Sequence, residues 1–378
     1  MTDNTSVLIA GGGVAGLALR RALLGRGLPA EVAERDPQRS SGGLAIHLTG
    51  NAVAALGVLG LEDHIERMGR PVRRREYRDR TGRLLCELDE QEFWPVGSRP
   101  RLVRRADLVA ALASEPVGPS SRTPDEVRLV QLVPNGVEVS FADGRVEEHG
   151  FLVGADGVHS TVRSQVLGDA APRAALLSAA GWRTMTVNPG LDCFTAWNGP
   201  EGVVLLIPLS DTEAYFYASA VDGGPVGTDP GWLQRAFRGF PDPVREALDH
   251  IAADPAQLYH SPIEEIRIPV WSRGRAALIG DAAHAMAPVW AAGVGLALED
   301  AIVLADVLAD GDWDTAGARL EQRRRPRVDH VAKMTDRTSR GANTPAWLRR
   351  LIIPRAYRST YTALRKPIEV TRGLEMSR

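Results

Sequence analysis

The feature that most narrows what this chain can fold into is the glycine turn at positions 11–16. Ser6 to Ala10 is a short apolar run of the kind a buried parallel strand needs. Gly11, Gly13 and Gly16 follow it in the spacing GxGxxG. Leu17 to Arg26 then reads as a helix that Gly27 stops, and Ala30 to Ala33 as a second strand ending at Glu34. Each glycine has a steric task. The first permits the turn, the second lets backbone approach a pyrophosphate, and the third lets helix pack on strand. Val14 and Ala15 open the helix, where unpaired N–H groups face an anion. Glu34, beside Arg35, stands where a carboxylate accepts from ribose hydroxyls. Strand, turn, helix, strand and acid together predict an adenine dinucleotide site, but do not separate FAD from NAD.

Composition sets bounds. The chain has 378 residues, 44% hydrophobic and 24% charged, which suits two associated globular domains. It carries no apolar run of bilayer length, and its polar start leads straight into a strand, so a cytoplasmic protein without a signal peptide is expected. Cys86 and Cys193 form neither a disulfide framework nor a metal cluster, and no metal site is expected. Residues 318–378 hold 14 arginines and two lysines against five acidic residues, leaving the remainder acidic although the net charge is only −2. Arginine is overused throughout, so the basic tail is not read as a nucleic-acid surface.

Further along, Leu44 to Leu61 reads as a loop and then a helix, and Val72 to Trp94 as strand-like and charged. Val127 to Phe141 and Arg145 to Val153 read as strands around Asp143-Gly144. The pattern changes after Ala171: Trp182 to Ala220 alternates and is broken by turns, which predicts antiparallel sheet. Trp232 to Asp249 and Gly293 to Ala309 read as helices, as does most of the chain after Thr315.

Two more segments complete the pattern: Val153 to Arg163, containing Gly154, Asp156 and Gly157, and Gly274 to Asp300, containing Gly280, Asp281, His284, Pro288, Gly293 and Val294. With the glycine turn they resemble the class A FAD-dependent monooxygenases, the para-hydroxybenzoate hydroxylase-like family, over about Ser6 to Arg327. The resemblance implies an α/β fold: a Rossmann-like FAD-binding domain with an inserted, mainly antiparallel β-sheet substrate domain and C-terminal helices. Residues 1–70, 101–171 and 270–317 would form the first, 71–100 and 172–269 the second, and 318–378 the helical segment.

The same resemblance implies site residues. Asp281 is expected to hydrogen-bond the ribityl chain, Asp156 and Gly157 to lie near the pyrophosphate, and Arg105 to contact FAD. Gly280, Gly293 and Val294 would present backbone to the flavin, and the helix from Gly293 would aim its positive end there. Asp281 and Asp156 could instead cap helices. The family commonly has Gly-Gly-Gln-Gly and then Asn after the proline; here the stretch is Ala291 to Gly295, preceded by Trp290.

The implied reaction passes hydride from NADPH or NADH to noncovalent FAD and, with O2, hydroxylates a small aromatic or polyketide-like substrate through a flavin C4a-hydroperoxide. His47 is a candidate base or a hydrogen-bonded loop histidine. Tyr215 and Tyr217 share one strand face, lining a pocket or packing a core. Pro288 falls where the family uses a backbone carbonyl beside the substrate. Trp182 and Trp197 form an aromatic wall or pack the sheet, and His284 is expected to be structural. Pro345 to Val370 is expected to pack intramolecularly over one side of the substrate cavity rather than on a membrane. The motifs do not exclude a same-fold oxidase, epoxidase or oxidative decarboxylase, or a redox-silent FAD-binding helper. Oligomeric state is not legible.

Overall fold

The computed structural model describes residues 6–36, 44–114, 123–168, 171–220, 230–341, 359, 361 and 362. Its organising layer is a six-stranded sheet in the order Ser272–Arg273, Ala276–Leu278, Phe151–Gly154, Val7–Ala10, Ala30–Glu34, Thr123–Pro124. All neighbours run parallel except the first pair. Val7–Ala10 lies at its centre with all four residues buried. Alternation along this strand feeds two cores. Val7 and Ile9 pack with the helices Val14–Leu24 and Gly293–Ala309. Leu8 and Ala10 pack toward Val137, Val139 and Phe141 of the antiparallel sheet Val127–Val133, Gly136–Phe141, Val146–His149. A strand covered on both faces needs a continuous apolar run, which is what positions 7–10 supply.

The second layer is a seven-stranded sheet in the order Tyr259–Glu265, Ala175–Val187, Glu213–Ala220, Gly202–Pro208, Phe194–Asn198, Arg74–Asp79, Leu84–Asp89. It is antiparallel except where Phe194–Asn198 meets Arg74–Asp79. Period-two alternation gives it two characters. Trp182, Trp197, Leu206, Phe216 and Ala218 face a core closed by Phe237 and Phe240 and by Val244, Leu248 and Ile251. Trp182 and Trp197 therefore pack this covering layer and form no wall on the opposite face. On that face stand Arg75, Tyr77, Phe194, Ala196, Leu205, Ile207 and Tyr215, most of them in a separate cluster with Ala45, Trp290 and Tyr361.

A three-stranded sheet, Ala45–Leu48, Arg101–Arg104 and Arg70–Pro71, lies between the two layers. Ala45 packs toward the second layer and Leu48 toward the first. The expected loop at Leu44 to Leu48 is thus a strand, because its partner Arg101–Arg104 is distant in sequence and invisible to a local reading. Likewise the expected helix Trp232 to Asp249 is two, Pro230–Phe237 and Asp242–Ala253, parted at Phe240-Pro241. Gly293–Ala309 is a helix as expected, and Ala316–Gly341 is helical. Residues beyond 341, apart from 359, 361 and 362, lie outside the described residues, and with them most of the expected packing of Pro345 to Val370. No described helix is long and apolar enough to cross a membrane.

A buried polar hub ties these elements together. The Asp300 carboxylate accepts from Gly280 N at 3.0 Å and Arg324 Nε at 2.8 Å, and contacts His284 Nε2 at 2.6 Å. Arg324 also pairs with Glu299 at 2.7 Å, and Glu299 accepts from Asn51 Nδ2 at 2.8 Å. Burial alone would raise the Asp300 pKa, but His284 and Arg324 outweigh it and hold the carboxyl well below its usual range. A carboxyl depressed in the folded chain stabilises fully above its unfolded pKa of about 4, and that contribution is lost as pH falls through the folded value. Removing the cation takes the central charge from two buried acids and leaves Asp300 with His284 and Glu299 with Asn51 and Arg327. Arg324→Leu should cost about 3–5 kcal/mol in urea denaturation at neutral pH, whereas exchanging the exposed Arg319 for Leu should cost little.

Candidate functional site

The three motifs meet at one place, and the glycines show how closely. Gly11 has φ +108° and a side chain on it would stand 2.4 Å from the carbonyl oxygen of Ala155. The first motif thus lies against the backbone of the second, and Gly11 N donates to Ala33 O at 2.8 Å. A Cβ on Gly16 would come within 1.9 Å of Gly11 O. Gly280, at φ +58°, fits between Ala15 and Ala297, 3.2 and 3.3 Å from where its Cβ would be. That contact joins the glycine turn, the third motif and the helix Gly293–Ala309. Gly13 differs: nothing lies within 4 Å of a Cβ built there, at the N-cap of Val14–Leu24. Open space before a helix N-terminus, with backbone free to approach, is what a pyrophosphate requires.

Acidic groups surround this cradle. Glu34 accepts from Gly12 N at 2.6 Å and Asp36 N at 2.8 Å, which fixes its carboxylate beside the turn with lone pairs left for ribose hydroxyls. Arg35 points elsewhere, reaching Glu126 at 3.6 Å on the surface. The Asp281 side chain is accessible, although protein crowds around it enough to raise its pKa by burial, offset in part by His284 and Arg105. It therefore lines an internal recess. Its Oδ1 lies 3.9 Å from where a Cβ on Gly293 would be, so carboxylate and the start of the last motif helix border the same space, beside Val294. Arg105 is exposed, and its N–H anchors to Leu44 O at 2.8 Å.

Asp156, expected near the pyrophosphate or as a helix cap, directs its carboxylate to a helix start. Its oxygens accept from Ser160 Oγ at 2.5 Å, Thr161 N at 2.7 Å and Val162 N at 3.1 Å, so the side chain caps the helix Thr161–Leu167. Burial raises its pKa against those donors. What reaches the glycine turn is backbone of Ala155 and Asp156, followed by Gly157 at φ +82° with open space beside it. Arg163 binds Ala282 O at 2.9 Å and Val158 O at 2.6 Å, tying the second motif to the third.

Pro288 is exposed, and its carbonyl accepts from Ala291 N at 3.1 Å within the turn Pro288–Trp290. That oxygen serves the turn. Ala291 adopts φ +53°, a left-handed conformation in which a glycine would be unstrained. The space that a side chain at Gly295 would fill belongs to Asn51, whose Nδ2 lies 2.4 Å from the built Cβ. The asparagine missing from the resemblance at that stretch is replaced in space by one from another helix.

Opposite the cradle, His47 is buried and meets Phe194 edge-on at 5.8 Å. Its Nε2 lies 3.2 Å from Arg75 Nη2, and its Nδ1 has no partner. A guanidinium only donates, so Nε2 accepts and the ring proton of neutral His47 sits on Nδ1. Burial, then the charge of Arg75, hold its pKa well below the ordinary value. The expected base at neutral pH is therefore a hydrogen-bond donor: its basic lone pair is already taken. Arg75 pairs with Glu90, and the guanidinium lies between the rings of Phe194 and Tyr361, at 4.8 and 5.1 Å. Burial would lower the Arg75 pKa, but Glu90 outweighs it. Arg75, Glu90 and Tyr361 were not legible as site residues. Arg73 to Arg75 reads as a solvated charge run, and only strand alternation with Tyr77 hints that Arg75 turns inward.

Tyr215 and Tyr217 lie on the face away from Phe216 and Ala218, beside Met185 and Arg183 in register. Burial pushes the Tyr215 hydroxyl up to about 12 against the pull of Arg183, and raises Tyr217 too. Both are phenols at neutral pH. Arg183 lies 5.7 Å from the Tyr217 ring and donates to Ser261 Oγ at 3.1 Å. Arg104 crosses from the motif layer to pair with Glu213 at the start of this strand.

A profile described as "FAD binding domain" matches residues 4–338. The chain belongs to the class A FAD-dependent monooxygenase family. It is 32% identical over 345 residues to 3-amino-4-hydroxybenzoate 2-monooxygenase PtmB3 of Streptomyces platensis, covering 86% of this chain and 85% of that one. It is 28% identical to 6-hydroxynicotinate 3-monooxygenase of Pseudomonas fluorescens, over 92% and 95% of the two chains. The fold matches Klebsiella pneumoniae HpxO, solved with FAD and uric acid, at TM-score 0.80 and 26% identity, over 99% of this chain and 96% of that one. FAD is thus the dinucleotide, and the open cradle at Gly13 with the recessed Asp281 fits it. Among the described residues no cluster could hold a metal ion.

Two outcomes separate binding from folding. Gly13→Ala should leave the apoprotein's urea midpoint unchanged yet lower FAD affinity in fluorescence titration, whereas Gly16→Ala should destabilise the chain itself by about 1–3 kcal/mol. For His47, the folded pKa lies below the unfolded value of about 6.5, so its contribution to stability is complete above that pH and shrinks as pH falls toward the folded value. His47→Asn should therefore flatten the loss of Tm between pH 7 and 5.

Proposed function

We propose that this family member is an NAD(P)H-dependent monooxygenase that hydroxylates a small, electron-rich aromatic or heteroaromatic ring. The observation that carries the reading is the two-faced seven-stranded sheet. One face is closed core; the other turns Phe194, Leu205 and Ile207 with the phenols of Tyr215 and Tyr217 toward the motif layer that holds FAD. Bound FAD supplies the hydride acceptor and the oxygen-activating group. The chain's own residues supply the rest.

Asp281 and Glu34 would hold the ribityl and ribose hydroxyls, and Gly13 with the helix behind it the pyrophosphate. No covalent tether is needed in this arrangement. Phe194, Leu205 and Ile207 present a dry, flat surface suited to a ring and exclude water from it. His47 backs this surface edge-on to Phe194, and the hydroxyls of Tyr215 and Tyr217 can donate to or accept from a ring oxygen or nitrogen. Arg183 beside the two tyrosines adds fixed positive charge, which favours an anionic ring such as a phenolate or carboxylate. The hydroxybenzoate and hydroxynicotinate for which the two relatives are named, and the uric acid bound to HpxO, support that class. A soluble substrate and O2 are the partners this reading requires.

The test is a panel of hydroxybenzoates, hydroxypyridines and related ring acids, scored for faster NADPH or NADH oxidation and for product mass. At least one compound should accelerate oxidation and gain one oxygen atom, and Tyr215→Phe should slow that turnover more than flavin reduction. A product lacking two hydrogens, with no oxygen gained, would instead establish an oxidase.

A further inference from the structure

Tyr361 belongs to a part of the chain remote from every motif, yet it is buried against residues that support His47. Its hydroxyl donates to Glu90 Oε2 at 2.5 Å, and Trp94 Nε1 reaches both groups, at 2.9 Å to Glu90 and 3.0 Å to the tyrosine oxygen. The other Glu90 oxygen pairs with Arg75 Nε. Arg75 then extends Nη2 to His47. The tyrosine ring also meets Phe93 edge-on at 5.0 Å and covers one side of the Arg75 guanidinium while Phe194 covers the other.

From this geometry we infer that Tyr361 is a positioning residue: it clamps Arg75 and thereby fixes the ring proton of His47 on Nδ1, behind the sheet face that carries Phe194. The inference rests on the hydroxylase reading only for what the donor is used for; the clamp itself is a property of the chain. Four constraints converge on Arg75: Glu90 holds one edge of its guanidinium by charge, two rings restrict its plane, the Tyr77 hydroxyl accepts one of its N–H groups, and His47 Nε2 accepts another. Released from Tyr361, the guanidinium gains freedom to turn about its side chain. His47 Nε2 would then lose its fixed donor, and nothing else among the described contacts decides which ring nitrogen carries the proton. Among the described residues the groups that meet His47 are Arg75 and Phe194 from the sheet, and no described carboxylate reaches it in place of the clamp.

The test uses the full-length, FAD-bound enzyme labelled with 15N-histidine. The wild-type His47 ring should show a proton on Nδ1 and none on Nε2 at neutral pH. Tyr361→Leu removes both hydroxyl and ring, and should move the His47 resonances toward the Nε2–H or doubly protonated form. Tyr361→Phe keeps the ring and should give a smaller shift in the same direction; it decides the matter alone if the leucine variant does not fold. With a substrate in hand, Tyr361→Leu should lower kcat by about tenfold at full FAD occupancy and unchanged KM for the nicotinamide. Wild-type His47 spectra in both variants would overturn the inference, leaving Tyr361 as packing alone. A tautomer that moves in a chain that hydroxylates nothing would keep the clamp and remove the hydroxylase reading.

Discussion

Asp300 holds together segments that the fold must bring to one place. Its carboxylate joins Gly280 N, His284 and Arg324, and its neighbour Glu299 reaches Asn51. Through it the turn that presents Asp281, the helix that begins at Gly293 and the helix Ala316–Gly341 share one buried charge cluster. Such a cluster is stable only when every member is present, since an acid left alone in the core is costly. The placing of Asp281 and Gly293 therefore follows from an interaction buried behind them. Arg163 does the same for the second motif by binding backbone of the third.

The two layers divide the work. The parallel sheet is covered on both faces, so its strand ends, not its faces, are available, and the motifs sit at those ends. The seven-stranded sheet packs one face against a covering layer that includes the helix Asp242–Ala253 and turns the other toward Ala45, Trp290 and Tyr361. The small sheet through Ala45–Leu48 joins them, with alternate residues in two different cores. His47 stands at that seam, which is why its partners come from the second layer although its strand belongs to neither.

How far the sequence revealed this depended on the range of the interactions involved. The glycine turn, Glu34 and the Gly280-Asp281 segment were legible because close backbone approach restricts residue type locally, and the structure brings them together. The strand Ala45–Leu48 was not, because its hydrogen bonds come from Arg101–Arg104. Asp156 was legible as part of a motif and as a possible helix cap, but a carboxylate near a helix start fits either role until the donors it meets are seen. The chemistry at His47 was the hardest to read: whether imidazole acts as base or donor is set by Arg75, and Arg75 is held by Glu90 and Tyr361, 271 residues apart from each other in sequence.

The exchange between Gly295 and Asn51 has a consequence for how such a chain can diverge. Asn51 fills the volume next to Gly295 while bonding Glu299 at 2.8 Å and accepting from Thr49 at 2.7 Å. Neither position is free to vary alone: a side chain at 295 collides with Asn51, and a smaller residue at 51 leaves a void and takes the donor from one buried oxygen of Glu299. Two sites 244 positions apart in the sequence are thus locked into one epistatic unit. A change at either position should therefore be tolerated better when the other changes with it than when it occurs alone.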